Sequence, residues 1–240
     1  MPDASVRTPA SGAAPFLLLH GLLIPGGLAL AAFAVHATGV DHRLTAAFFD
    51  PASGTFPARA WPALDLLGYR FAKSAVLVLW FTLLAAALTV SAVPRLAGHR
   101  AILWTTVIGM ALGPCIVVAL KGLNATHCPW DLRLFGGYAD FAAGWFVPAA
   151  EVGRCFPGGH AAGGFSLVAL LFAGLATGNR RLHAAGLIAT LAAGSIFSAV
   201  RIAQGAHFLS HNLWSASIDW WAAALVFAPL LAQARDPRTG

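Results

Sequence analysis

Apolar residues along this chain come in long runs, separated by short segments that hold nearly all the charge. Six runs stand out: Ala14 to His36, Ser74 to Val93, Ala101 to Leu120, Ala161 to Thr177, Ala184 to Val200 and Asn212 to Gln233. Each has roughly the 17–25 residues needed to cross a ~30 Å hydrocarbon core. Because backbone N–H and C=O groups find no water there, such runs must be helical. The pattern predicts an all-α integral membrane bundle of about six transmembrane helices. Glycines punctuate the fourth and fifth runs, as in membrane helices that pack closely. The first run is too long for a signal-peptide core, and Arg7 alone precedes it as a basic residue, so it is read as retained. Between His36 and Ser74, Phe48, Phe49, Trp61 and Tyr69 stand among scattered charges, Pro and Gly. That interval predicts an extramembrane segment with interfacial helices.

Composition narrows the class. Of 240 residues 58% are hydrophobic and 10% charged, with mean hydropathy +0.73, which excludes a soluble globular domain. The net charge of +6 contains no basic run, so it does not point to nucleic acid. Arg7, Arg95, Arg100, Arg180, Arg181, Arg235 and Arg238 instead flank alternate ends of the runs. By the positive-inside rule both termini and the two shortest loops are cytoplasmic. Segments 37–73, 121–160 and 201–211 then share the outer face. Asp219 alone among charged residues lies well inside a run, which argues against a transporter or channel. The abundance of Arg, Ala and Gly beside scarce Lys suits a GC-rich bacterial genome. The expected location is the bacterial inner (plasma) membrane, multi-pass, with residues 1–240 forming a single membrane-embedded domain.

Three outer-face segments carry polar residues of an unusual kind. The first reads Lys121-Gly-Leu-Asn-Ala-Thr-His127-Cys128-Pro129-Trp130-Asp131. The chain has 13 Arg and 2 Lys, so Lys121 is an exception by type; it reads either as a snorkelling cation or as an anion ligand. The second segment includes Arg154-Cys155-Phe156-Pro157-Gly158-Gly159-His160. Two glycines before a helix start make either an ordinary loop or a backbone cradle for an anion, with His160 within reach as a proton donor. The third runs from Arg201 through Gln204, His207 and Ser210 to His211 and Asn212. One helical turn separates the two histidines, which leaves a metal pair, a structural pair, or a nucleophile with its orienting partner. Nearby Lys and Arg repel a cation, so no metal is assigned and no cofactor is expected.

In this order and spacing the segments resemble the type 2 phosphatidic acid phosphatase superfamily, whose motifs run Lys-x6-Arg-Pro, Pro-Ser-Gly-His and Ser-Arg-x5-His-x3-Asp. The matching positions here are Lys121 with Cys128-Pro129, then Pro157-x-Gly159-His160, then Arg201-x5-His207-x3-His211. The resemblance covers about residues 121–211. It implies a membrane phosphatase acting on a lipid phosphate or diphosphate, with undecaprenyl diphosphate, phosphatidylglycerol phosphate, phosphatidic acid and lipid A among the candidate substrates. It also implies His207 as nucleophile through a phosphohistidine, His160 as acid and then base, and Lys121, Arg201, Gly158 and Gly159 as phosphate ligands. A lipid phosphotransferase and an inactive lipid-binding relative are the alternatives within the same fold.

Four positions depart from the motifs: Cys128 replaces Arg, Gly158 replaces Ser, Val200 replaces Ser and His211 replaces Asp. The chain thus reads as a divergent branch. Neutral His211 can accept a hydrogen bond from His207 but brings no negative charge. Arg154, or secondarily Arg133, is the candidate for the missing Arg. Cys128 and Cys155 share the outer segment, so an oxidising compartment would allow a disulfide tying the first motif to the second; Cys115 lies inside a run. The expected partners are a lipid phosphate and membrane lipids, with no nucleic acid and no assignment of oligomeric state.

Overall fold

A computed structural model describes residues 13–66, 70 and 72–233. Arg7, Arg235 and Arg238, which entered the orientation argument, and Tyr69 lie outside the described residues. Among the described residues six helices are long and apolar enough to cross a membrane: Ala14–Ala37, Lys73–Ala92, Pro94–Lys121, Gly159–Ala176, Arg180–Ala203 and Leu209–Ala232. Each overlaps one of the six expected runs, and no strand accompanies them among the described residues beyond three isolated bridges. The protein is a multi-pass, all-α membrane protein.

The spans alternate in the length of their connections. Val93 alone separates the second from the third, and residues 177–179 separate the fourth from the fifth, where the Asn179 side chain accepts from the N–H groups of Arg181 and Leu182 at 3.1 Å. The other three connections are longer or carry the motifs. Segment 38–72 holds a short helix, Val40–Ala46, and a turn of 3-10 helix at Pro57–Ala60. Odd-to-even connections of a helix bundle emerge on one side of the bilayer, so the described parts of segments 38–72, 122–158 and 204–208 lie at one face.

The sixth span is central. It packs against the third and the first, and against the fourth as well. Phe172, Val168, Met110, Ala223, Ala224 and Phe227 fill the space between the third, fourth and sixth spans, and are almost wholly buried. Outward residues are just as apolar: Leu30 is 70% exposed, Ile188 67% and Val78 65%. This reversal of the soluble pattern is what a hydrocarbon solvent produces, since Leu gains nothing by leaving lipid. Association then rests on close backbone approach. A Cβ on Gly164 of the fourth span would come within 2.7 Å of the Ala193 carbonyl carbon in the fifth, and one on Gly186 would strike the backbone at Leu170 and Leu171.

The same contact predicts a sharp contrast. Gly164→Val should lower the unfolding midpoint in detergent, with an overpacking cost of about 1–3 kcal/mol. Gly163→Ala, whose added carbon meets nothing within 4 Å, should leave it unchanged. Thermal unfolding of the purified variants by scanning fluorimetry decides between them.

Candidate functional site

Lys121 closes the third span, and the chain beyond it is pinned at once. The buried amide of Asn124 donates from Nδ2 to the carbonyls of Leu120 and Phe156, both at 2.8 Å, while its Oδ1 accepts from the Thr126 N–H at 3.0 Å. One side chain therefore ties the end of the third span to the loop that enters the fourth. Gly153 N–H donates to Asn124 O and Cys155 N–H to Thr126 O, each at 3.1 Å. A Cys128–Cys155 disulfide, with Cα atoms 5.0 Å apart, locks this pairing. Closing a loop of 27 residues restricts the unfolded chain by about 3–4 kcal/mol at 25 °C.

The second motif is in turn tied to the third. Gly158 N–H donates to His211 O at 3.0 Å, and Ser215 Oγ donates to Gly158 O at 2.9 Å. The Gly158 N–H, expected as a phosphate donor, is thus already committed to His211. Gly159 and His160 begin a helix, where N–H groups have no earlier carbonyl to meet. A Cβ on Gly159 would sit 3.4 Å from Lys121 Nζ, so the glycine lets that ammonium lie directly against the backbone.

Gly205, at φ 68°, turns the chain between the fifth and sixth spans. It delivers His207 just ahead of the helix that begins at Leu209, so His207 and His211 are not one turn apart on a common helix. The start of that helix is held from far away in sequence: Asp41 is buried, and its Oδ1 accepts from Ser210 N–H at 2.9 Å while Oδ2 accepts from Ser210 Oγ. A carboxylate there also meets the positive end of the helix dipole. Arg201 donates from Nη1 to Gln204 Oε1 at 2.8 Å, and its guanidinium lies 5.4 Å from the Trp130 ring. Arg59, from segment 38–72, covers the same ring at 4.3 Å.

These ties gather Lys121, Gly159, His160, Arg201, His207 and His211. The rings of His160 and His207 are 6.4 Å apart centre to centre, and those of His207 and His211 5.9 Å apart, edge to face. The atom against His207 Nδ1 is not His211 but the Cys155 sulfur, at 3.4 Å. A disulfide sulfur carries no hydrogen, so a hydrogen bond across this contact runs from Nδ1–H to sulfur. That tautomer leaves the lone pair on Nε2. Burial drives the His207 pKa well below its usual range, and Lys121, His211, Arg201 and His160 push it the same way. At pH 7 the ring is neutral.

The other candidates fall elsewhere. Arg154 is exposed, at φ 57°. Arg133 is exposed and pairs with Asp140 at 3.3 Å. Lys73, which sequence reasoning passed over, lines the same cavity as Lys121, Gly159 and His160. Its signal was its type, since it is the other of two lysines in the chain. Cys128, Cys155 and His207 also cluster closely enough to suggest metal ligands, but the disulfide consumes both thiols.

His207 sets a pH dependence of stability. Its folded pKa lies below the value of about 6.5 in an unfolded chain, so its contribution is fully present above that pH and is lost as pH falls further. The unfolding midpoint in detergent should drop between pH 7.5 and 5.5. His207→Gln should remove its share of the slope, at most about 1.4 kcal/mol per pH unit.

Comparison with known proteins gives one result. No curated protein and no solved structure matches the chain significantly. The family model of the PAP2 superfamily matches residues 102–233, more than half of the chain, from the third span through the sixth. The chain belongs to the PAP2 superfamily, whose members are generally phosphatases.

Proposed function

We propose that this protein hydrolyses a lipid phosphate or lipid diphosphate through a phosphohistidine, with its site facing the periplasm or cell exterior and both termini in the cytoplasm of a bacterial inner membrane. The observation that carries this reading is one cavity of about 470 Å³ with two kinds of wall. Lys73, Lys121, Gly159 and His160 line one part; Val76, Leu77, Trp80, Met110, Pro114 and Val118, from the second and third spans, make most of the rest, with Phe197 of the fifth. An amphiphile with an anionic head and a hydrocarbon chain matches both walls at once.

Of the reacting groups, Lys121 and His160 line the cavity, while Arg201 and His207 belong to the cluster around them. Lys121 and Arg201 hold the non-bridging phosphoryl oxygens. The Nε2 lone pair of neutral His207 attacks phosphorus as the bond to the lipid oxygen breaks, and His160, in its protonated form, gives its proton to that oxygen. Water then attacks the phosphorus, losing a proton to His160, and the P–N bond breaks to return neutral His207 and inorganic phosphate. Cys155 sulfur orients the nucleophilic ring through Nδ1. The His211 ring packs edge to face against it.

Two measurements test the reading. Purified protein with dioctanoyl phosphatidic acid should release phosphate in the presence of a chelator, and His207→Ala should reduce release by on the order of 10³-fold or more. Equal release from both proteins would remove His207 from the mechanism. Replacing both cysteines of the disulfide by serine should lower kcat roughly tenfold, about 1.4 kcal/mol in the barrier. It should also yield phosphate on either ring nitrogen of His207 instead of Nε2 alone, as read by 31P NMR of the trapped intermediate. A full rate with a single isomer would show that the sulfur does not orient the ring.

A further inference from the structure

Asn212 lies one residue past His211 at the start of the sixth span. It is 2% exposed, and neither Oδ1 nor Nδ2 has a hydrogen-bond partner. Leaving a buried polar group unsatisfied costs about 1–3 kcal/mol, and native proteins rarely tolerate it without a ligand or water that completes the set. The neighbouring buried amides show the contrast: Asn124 makes three hydrogen bonds, and Gln204 accepts from Arg201. Asn212 is unsatisfied beside the second motif, against Gly158.

Its position is set by Gly158. A Cβ built on Gly158 would overlap Asn212 Oδ1 and lie 3.3 Å from its Cγ. The amide thus fills the volume that a side chain at position 158 would occupy, beside Gly159 and His160. Gly158 itself has nothing left to offer an anion. Its N–H is bound to His211 O, its carbonyl accepts from Ser215 Oγ and from Ala162 N–H, and it carries no side chain. The two ends of an amide can exchange by rotation about Cβ–Cγ bonds, and only the NH2 end attracts an oxyanion.

We propose that Asn212 is a substrate ligand: its Nδ2 donates to a non-bridging phosphoryl oxygen and strengthens that bond as charge builds in the transition state. It supplies from the sixth span the neutral donor that Gly158 cannot. The inference rests on the phosphate-handling reading above and adds to it a residue that lies outside the three motifs. Glycine at 158 and asparagine at 212 form a linked pair, since any side chain at 158 would displace the amide.

The test uses the full chain in detergent, with orthovanadate as a phosphate-shaped probe and dioctanoyl phosphatidic acid as substrate. Wild type is measured first; a wild type that neither releases phosphate nor is inhibited by vanadate overturns the hydrolase reading as a whole. Given an active wild type, Asn212→Ala should raise the vanadate inhibition constant about tenfold and lower kcat on the order of 10²-fold, the usual loss for one such donor. Asn212→Asp keeps the shape and replaces the donor by an acceptor. It should therefore be weaker than Asn212→Ala in vanadate binding, and because it is isosteric it remains informative where the alanine variant folds poorly. A vanadate constant within twofold of wild type in either variant overturns the proposal, whatever happens to the melting temperature, and leaves the amide as a holder of buried water.

Discussion

Hydrocarbon cannot satisfy a backbone N–H or C=O, and every other feature of this molecule follows from that constraint. The loops lie at the ends of the spans. Inside the spans the backbone departs from the α-helix only in short stretches such as the π-helical Leu17–Leu23 and the turn at 166–167, so a site built from loops lies at a membrane face. The parity of the spans then sorts the loops. Connections after the first, third and fifth spans reach one side together, while the opposite side has only Val93 and residues 177–179 between helices. Lys121, Gly159 and His207 are far apart along the chain, yet the rule that each helix crosses once brings them within reach of each other.

What a bilayer does not supply is precision, and here polar and covalent ties provide it. Asn124 and the Cys128–Cys155 disulfide join the first motif to the second; Gly158 and Ser215 join the second to the third; Asp41 secures the helix that follows His207. At their centre stands a buried, neutral imidazole among cations. Such an arrangement has an excess of positive charge and few acceptors, and an anion is the ligand that relieves it. The apolar wall shared by the second and third spans adds the second half of an amphiphile's outline.

The six spans were legible in the sequence because hydrophobic run length is a local property that tertiary contacts do not override. Lys121, Arg201, His160 and His207 could be singled out for a related reason: each belongs to a short segment of fixed spacing at a span end. Asp41 and Lys73 could not, and Asn212, although it closes the third polar segment, carried no signal of a role. Asp41 meets Ser210 across 169 positions, and nothing near either residue announces the contact. Lys73 carried only the signal of its rarity, whereas Arg154 sat beside the second motif and drew attention by adjacency, although the structure leaves it exposed. His211 was expected to accept a hydrogen bond from His207 because it stands where the superfamily motif has Asp. The helix begins too late for that, and sulfur from a cysteine 52 residues earlier takes the position.

The clasp between Asp41 and Ser210 has a bearing on biosynthesis. One half of it is made soon after the first span, and the other only when the last span arrives. A ribosome-bound chain carrying five spans already holds Lys121, the disulfide-forming cysteines and His160, but His207 has no helix behind it and Asp41 has nothing to grip. Such a chain has every side chain that lines the cavity, but the segment that carries His207 is not yet held in place. The setting of His207 is therefore completed only when the last span joins the first, late in synthesis.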